Sequence, residues 1–194
     1  MYQIRNSGWI EVITGSMFSG KTTELVHRLE KVEIANQEYK VFKPIVDDRY
    51  SERYIVTHSG IRWKAIPLDK SEDILEETYE ELDVVAIDEV QFWDNDIIDV
   101  IESLVDKNIR VIACGLDTNF RGEPFESMST ILAKSEYVTK LKGVCQIEGC
   151  GELGTKTQRY VNGEPAHVND PLVVIGGKES YKCVCRHHHT VKTD

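Results

Sequence analysis

Apolar runs alternate with amphipathic segments along the first two thirds of the chain. The run Trp9–Ile13 is rich in aromatic and β-branched side chains and predicts a strand. Over Thr22–Ala35, apolar residues recur at steps of three and four, which predicts a helix. Lys40–Lys43 predicts a second strand, which Pro44 should end because proline donates no ladder hydrogen bond.

The same alternation continues through the middle of the chain. Ser71 is predicted to cap a helix that runs to Leu82. The continuous apolar run Val84–Ile87 is typical of a strand that is covered on both faces. Ile97–Val105 has helical periodicity, and Arg110–Cys114 predicts the next buried strand. Alternating strands and helices predict an α/β fold, in which helices flank a parallel sheet.

The pattern changes at Gly143, after which Cys, Gly, Asn and His are frequent. Short β-like pieces remain at Arg159–Val161 and Leu172–Ile175. We therefore expect an α/β domain over residues 1–142 and a small second domain over residues 143–194. The second domain has few apolar residues for a core, so a structural metal would help it to fold.

Charge and hydropathy argue against two classes of partner. The formal net charge is −10, and Lys and Arg are not clustered as in a nucleic-acid-binding surface. No apolar run approaches the roughly 20 residues that cross a bilayer, so we expect no membrane partner. The first residues lack the apolar segment of a secretory signal, and a cytoplasmic location is therefore expected.

A phosphate-binding loop follows the first predicted strand. The pattern G-x-x-x-x-G-K-[ST] is matched in full by Gly15, Ser16, Met17, Phe18, Ser19, Gly20, Lys21 and Thr22. Backbone N–H groups and the N-terminus of the following helix should bind phosphates. Lys21 can reach the β- and γ-phosphates, and the Thr22 hydroxyl can bind Mg²⁺. The sequence thus predicts a P-loop domain that uses ATP and Mg²⁺.

Two carboxylates follow the strand Val84–Ile87. Asp88, at the carboxyl edge of the sheet, can bind Mg²⁺ directly or through water. Glu89 would orient a water molecule in an ATPase, or accept a proton from the acceptor hydroxyl in a kinase. By itself this pair could begin a solvated loop, but beside a phosphate loop a role in catalysis is favoured. The motif leaves hydrolysis and phosphoryl transfer both open.

Several longer motifs resemble those of the type II thymidine kinases. Residues 15–22 resemble the family's G-x-M-F-S-G-K-[ST] loop, and residues 88–92 resemble its D-E-x-Q-F element. Residues 115–125 are similar to its G-L-D-x-x-F-R-x-x-P-F segment. Residues 174–177, followed by Tyr181, resemble the loop that closes over the nucleoside. The matches occur in order along nearly the whole chain, which makes them more specific than any single motif.

The resemblance implies transfer of the ATP γ-phosphate to the 5′-hydroxyl of thymidine, with deoxyuridine as a further substrate. By position, Glu89 matches the general base, and Gln91 joins the expected ATP-binding residues. Arg49 matches an arginine near the transferring phosphate, although a surface ion pair with Asp47 or Asp48 fits its sequence equally well. The resemblance also implies a homotetramer and feedback inhibition by thymidine triphosphate (dTTP).

The nucleoside pocket is likewise implied by the resemblance. Phe120 matches an aromatic residue that packs on the thymine ring, and Thr157 a position near its 5-methyl group. Composition alone would place Phe120 and Leu116 equally well in a core. The full set of expected nucleoside-binding residues is Met17, Leu116, Phe120, Phe125, Thr157, Val173, Val174, Ile175, Gly176 and Tyr181.

The cysteines favour a metal site over disulfides, because four of the five lie toward the C-terminal end. The resemblance implies a structural zinc held by Cys145, Cys150, Cys185 and His188. The C-x4-C spacing of the first pair is longer than usual but remains a workable ligand spacing. Cys183 could replace Cys185, and His187 or His189 could replace His188. Four protein ligands would leave no position for water, so a structural role is expected.

Other functions remain compatible with parts of the sequence. A P-loop ATPase or switch would explain Lys21, Thr22 and Asp88, but gives no reason for the segment after Gly115. A deoxynucleoside kinase with another base preference would share most motifs. A zinc module that binds nucleic acid would explain the cysteines, but the acidic balance of the chain argues against it.

Overall fold

A computed structural model describes residues 7–45, 53–57, 59–172 and 179–193 of the chain. Eight strands precede residue 142 within these ranges. They are β1 (Trp9–Thr14), β2 (Tyr39–Pro44), β3 (Tyr54–Val56), β4 (Arg62–Lys64), β5 (Ile66–Leu68), β6 (Val84–Ile87), β7 (Arg110–Gly115) and β8 (Tyr137–Lys140). The helices are α1 (Lys21–Ile34), α2 (Asp73–Glu76), α3 (Ile97–Asp106) and α4 (Glu126–Lys134), with a 3₁₀ turn at Val90–Phe92.

The centre of the fold is a parallel sheet whose described strands follow the order β5-β2-β6-β7-β1-β8. Successive side chains of a strand point to opposite faces, so each buried strand supplies two cores. On one face, Val84 and Ala86 pack with Leu25 and Leu29 of α1. On the other face, Val85 and Ile87 pack with apolar residues of α3 and α4. The predicted α/β class is therefore confirmed, with helices on both faces of the sheet.

Six of the predicted elements are confirmed to within one residue at either end: β1, α1, β2, β6, α3 and β7. Pro44 is the last residue of β2, so the strand ends at the residue that donates no ladder hydrogen bond. Besides the 3₁₀ turn, five elements of this part were not predicted: the helix α4, the strands β5 and β8, and the antiparallel pair of strands β3 and β4.

The helix predicted from Ser71 to Leu82 is wrong for most of its length, because α2 ends at Glu76. The carbonyl of Leu75 accepts hydrogen bonds from both the N–H and the hydroxyl of Thr78, at 3.3 and 2.8 Å. A threonine that binds a carbonyl in this way competes with continuation of the helix. The Ser71 side chain does not cap α2, since it donates to Asp94 instead.

After residue 142 the described strands are short and antiparallel. They are β9 (Gly143–Val144), β10 (Leu153–Gly154), β11 (Lys156–Val161), β12 (Glu164–Pro165) and β13 (Glu179–Val184). β11 pairs with both β12 and β13, and β9 pairs with β10. β11 contains the predicted piece Arg159–Val161. Leu172 lies in a bend, and the rest of the predicted piece Leu172–Ile175 is outside the described residues.

In the described part of the chain, every helix is too short or too polar to cross a lipid bilayer.

A buried ion network ties the first strand to its neighbours. The carboxylate of Glu11 accepts hydrogen bonds from Arg110 at 2.8 and 3.0 Å and from Arg28 at 2.8 Å. Burial raises the pKa of this carboxyl, but the hydrogen bonds and positive charge of Arg110 outweigh burial and lower it overall. Glu11 lies on β1, Arg110 on β7 and Arg28 on α1, so one carboxylate joins three elements.

Replacing Glu11 by Gln should lower the free energy of unfolding by about 3–5 kcal/mol, because two buried guanidinium groups would lose their carboxylate. Chemical denaturation would measure the change. The control is Glu102→Gln, which removes an exposed pair with Lys134 and should cost about 1 kcal/mol or less. A Glu11 variant no less stable than this control would contradict the expectation.

The pH dependence of stability offers a second check on Glu11. A carboxyl whose pKa is lowered by folding stabilises the native state above its ordinary pKa, near 4.5. This contribution is lost as the pH falls through the lower pKa of the folded state. The stability difference between the wild type and Glu11→Gln should therefore shrink when the pH is lowered below about 4.5.

Candidate active site and metal cluster

Parallel register brings the sequence motifs to one edge of the sheet. Thr14 of β1 is level with Gly115 of β7, and the Thr14 hydroxyl donates to the Gly115 carbonyl at 3.0 Å. Ile87 of β6 is level with Ala113 of β7, so Asp88 follows at this same edge. The phosphate loop, the acidic pair and the segment after β7 therefore start side by side, where ligands of parallel sheets bind.

The phosphate loop has a backbone path that requires glycine at its start. Gly15 has a φ of +144°, and a Cβ there would lie 2.3 Å from the carbonyl oxygen of Leu141. Lys21 lies in the first turn of α1 and donates to the Ser16 carbonyl at 3.0 Å. The side chain that should bind phosphate therefore folds back over the loop.

One buried hydroxyl in this loop fits a phosphate ligand. Among the residues that the structure describes, Ser19 Oγ is buried and has no hydrogen-bond partner. A buried polar atom without a partner costs about 1–3 kcal/mol. A phosphate oxygen in the loop would accept a hydrogen bond from this hydroxyl, so the loop is compatible with the nucleotide that the sequence predicts.

The two carboxylates after β6 have different environments. Asp88 is buried; its N–H donates to Phe42 at 2.9 Å, and its carbonyl accepts the Trp93 indole N–H at 3.2 Å. Glu89 is half-buried and has a φ of +48°, which is uncommon for a residue with a side chain. The Asp88 backbone is thus fixed by two hydrogen bonds, and Glu89 takes up a left-handed backbone conformation directly after it.

Gln91 connects Glu89 to the segment after β7. Its amide nitrogen donates to the Glu89 carboxylate at 2.6 Å, and its amide oxygen accepts the Leu116 N–H at 2.8 Å. The Leu116 contact fixes which end of the amide faces Glu89, because only the nitrogen can donate. Gln91, which the resemblance assigns to ATP binding, therefore lies where it can orient Glu89.

Cys114, at the end of β7, lies near three charged side chains of the candidate site. Burial raises the pKa of the Cys114 thiol well above its ordinary value, and the negative charges of Asp88 and Glu89 raise it further. The positive charge of Lys21 acts in the opposite direction. All three charged groups therefore lie near one thiol. Nothing in the sequence around Cys114 suggested this position, beyond its place at a strand end.

One face of the β11–β13 pair carries two residues of the expected nucleoside pocket, Thr157 and Tyr181. Thr157 and Arg159 of β11 lie opposite Cys183 and Tyr181 of β13, and alternate residues share a face. The Thr157 hydroxyl accepts the Met17 N–H at 3.0 Å. Thr157 thus contacts the phosphate loop, a contact that the expected role near the thymine methyl group did not include.

Phe120 is more enclosed than a free stacking surface would be. It is 3% exposed, and its ring lies 5.3 Å from the guanidinium of Arg121 and 5.1 Å from that of Arg159. Phe125 makes an edge-to-face contact with Phe92, with ring centres 6.4 Å apart. Leu116 is half-buried and donates its N–H to Gln91.

Five expected site residues lie outside the described part of the chain. They are Arg49, Val173, Val174, Ile175 and Gly176. Their roles stay predictions.

The expected zinc ligands form a compact cluster. The sulfur atoms of Cys145, Cys150 and Cys185 and a ring nitrogen of His188 all lie within 4.8 Å of one another. His188 Nδ1 is 3.5 Å from the Cys145 sulfur and 3.4 Å from the Cys185 sulfur. Three sulfurs and one imidazole nitrogen are a donor set that suits tetrahedral zinc, so the cluster is compatible with a structural zinc site.

The alternative ligands lie elsewhere. Cys183 is buried beside Ser16, with its sulfur 3.2 Å from the Ser16 hydroxyl. His189 contacts the carbonyl of Phe120 at 2.8 Å, and His187 is exposed and outside the cluster. The placement therefore favours the pair Cys185 and His188 over these alternatives.

The surroundings of Cys145 favour its thiolate form. Burial raises its pKa, but hydrogen bonds from the backbone of Cys185 and Ile147, and from His188, lower the pKa of Cys145 to about 6. Metal ions bind the thiolate form, so this environment supports the metal assignment.

A family model described as thymidine kinase matches residues 8–189, nearly the whole chain.

The cluster predicts about one zinc ion per chain in protein purified without chelators. His188→Ala should lose the metal and lower the melting temperature, because metal binding contributes folding free energy. The matched control is the neighbouring exposed His187→Ala, which should keep both. Elemental analysis and thermal denaturation would measure the two effects, and equal zinc contents in the two variants would refute the ligand assignment.

Proposed function

The chain belongs to the thymidine kinase family, and we propose that it transfers the ATP γ-phosphate to the 5′-hydroxyl of thymidine, giving thymidine monophosphate for nucleotide salvage. The observation that carries this proposal is the pairing of Glu89 with Gln91 at the sheet edge where the phosphate loop begins. This pairing orients a carboxylate that could activate either a water molecule or a hydroxyl acceptor. The match to the thymidine kinase family model favours a nucleoside hydroxyl as the acceptor.

Binding of the phosphates is assigned to the loop of residues 15–22. Its backbone N–H groups and the N-terminus of α1 would surround the phosphate oxygens, and Lys21 would neutralise the β- and γ-phosphates. Thr22 and Asp88 would hold Mg²⁺, which when bound neutralises charge on the β- and γ-oxygens. Arg49 would add a fixed positive charge near the group in transfer.

Glu89 is assigned as the general base. Its carboxylate would accept the proton of the thymidine 5′-hydroxyl as that oxygen attacks the γ-phosphorus. Gln91 would hold the carboxylate toward the nucleoside, since its other end is fixed to Leu116. Glu89 thus receives the proton, while Gln91 acts only through orientation.

The nucleoside is assigned to the space bordered by the β11–β13 pair and the phosphate loop. The assignment of three of these residues is supported by their location on one face of that pair or against it. They are Met17, Thr157 and Tyr181. We also propose that residues 143–194 form a small domain that zinc stabilises. Cytoplasmic location stays a prediction.

Replacing Glu89 by Gln should lower kcat for thymidine phosphorylation by roughly 10²–10⁴-fold, the usual contribution of a general base. ATP binding should change little, because the phosphate loop is intact. Transfer of labelled phosphate and calorimetric ATP binding would separate the two effects. Glu102→Gln, a distant surface change, serves as the control. ATP consumption without a phosphorylated nucleoside, in the wild type, would instead indicate an ATPase.

Deoxyuridine should also be phosphorylated, with kcat/KM roughly 10–200-fold below that of thymidine. The two nucleosides differ by one methyl group, and a pocket distinguishes a single methyl or methylene by about that factor. A panel of the deoxynucleosides under one set of conditions would measure it. A purine deoxynucleoside as the best substrate would reject the thymidine assignment.

The homotetramer and the inhibition by dTTP stay predictions from the resemblance. Sedimentation equilibrium would test the assembly, where a monomer alone would contradict it. Initial rates with added dTTP would test the inhibition.

A further inference from the structure

Two consecutive residues of the phosphate loop contact one pair of opposed residues in the β11–β13 sheet. The Ser16 hydroxyl lies 3.2 Å from the Cys183 sulfur, and the Met17 N–H donates to the Thr157 hydroxyl at 3.0 Å. Thr157 and Cys183 face each other directly in the register of β11 and β13. These two loop residues therefore contact the same cross-strand pair.

Cys183 is closely confined. It is 1% exposed, and a Cβ built on Gly154 or Gly143 would lie only 2.2 or 2.7 Å from its sulfur. Its backbone N–H donates to the Gln146 side chain at 2.7 Å, and its carbonyl accepts the Gln146 N–H at 2.9 Å. The thiol has little room to move away from Ser16.

The same strand leads directly to the metal cluster. β13 ends at Val184, and the next residue, Cys185, belongs to the cluster. Any group that fixes Cys185 thus fixes the end of the strand that carries Cys183.

We propose that Cys183, with Thr157 opposite, is a positioning residue for the phosphate loop, through which the strand that leads to the Cys/His cluster sets the affinity for ATP. This inference rests on the proposed use of ATP. The loop binds phosphates through N–H groups of consecutive residues, so their spacing has to be fixed before the nucleotide arrives. Cys183 and Thr157 restrain Ser16 and Met17, where that spacing is set.

The test compares ATP binding by calorimetry and KM for ATP in Cys183→Ala and Cys183→Ser. The alanine variant should bind ATP roughly two- to tenfold more weakly, the range expected for one lost hydrogen bond. The serine variant keeps a hydroxyl in place of the thiol and should recover most of the affinity. Wild-type affinity in Cys183→Ala would overturn the proposal.

Val100→Ala is the control for packing. Val100 is buried on α3, in the core on the face of the sheet opposite to α1, and is not part of the β11–β13 sheet or the Cys/His cluster. It should lower the melting temperature while leaving ATP affinity within about twofold of the wild type. An equal loss of ATP affinity in both alanine variants would mean a general packing effect and would overturn the proposal.

A double-mutant cycle with Ser16→Ala tests the contact itself. If the hydroxyl and the thiol act as one unit, the double variant should lose no more ATP affinity than either single variant. Fully additive losses would contradict the inference. Should Cys183→Ala fail to fold, Ser16→Ala removes the same contact from the loop side.

Failure of the proposed function would look different. ATP binding is measured without the phosphoryl transfer, so a wild type that binds ATP but phosphorylates no nucleoside would reject only the kinase proposal. A wild type that binds no ATP would reject both.

Discussion

Parallel pairing of β1 with β7 is the constraint on which the candidate site depends. The Thr14 hydroxyl bound to the Gly115 carbonyl aligns the two strand ends, and β6 joins β7 in the same sheet. A slip of one residue would turn every buried side chain of a strand to the opposite face. The two apolar cores, one on the α1 face of the sheet and one on the α3 face, therefore fix the strand register. This register keeps Lys21, Asp88 and Cys114 near one another.

The parts of the fold that could be predicted are those whose signal is local. β6 and β7 are continuous apolar runs, and α1 and α3 have a clear helical period. β8, at the edge of the sheet, lacks the continuous apolar run of β6 and β7, because only Tyr137 and Val138 of its four residues are apolar. The helix after Ser71 was overpredicted because periodicity cannot show that Thr78 binds the Leu75 carbonyl.

The same distinction applies to the candidate site. The phosphate loop and the acidic pair are contiguous in sequence, so their residue types and spacing were enough to identify them. Gln91 could be named from a motif, but its bond to Leu116 depends on how β6 and β7 align. Cys183 looked like a spare metal ligand, and its contact with Ser16 follows only from the packing of β13 against the loop.

The contact between Ser16 and Cys183 joins positions 167 residues apart, which has a consequence for biosynthesis. A ribosome adds on the order of 5–20 residues per second, so roughly 8–33 seconds separate the synthesis of the two residues. During this interval the nascent polypeptide carries a phosphate loop that lacks its cross-strand support. The candidate phosphate loop therefore gains this contact only after Cys183 has been synthesised.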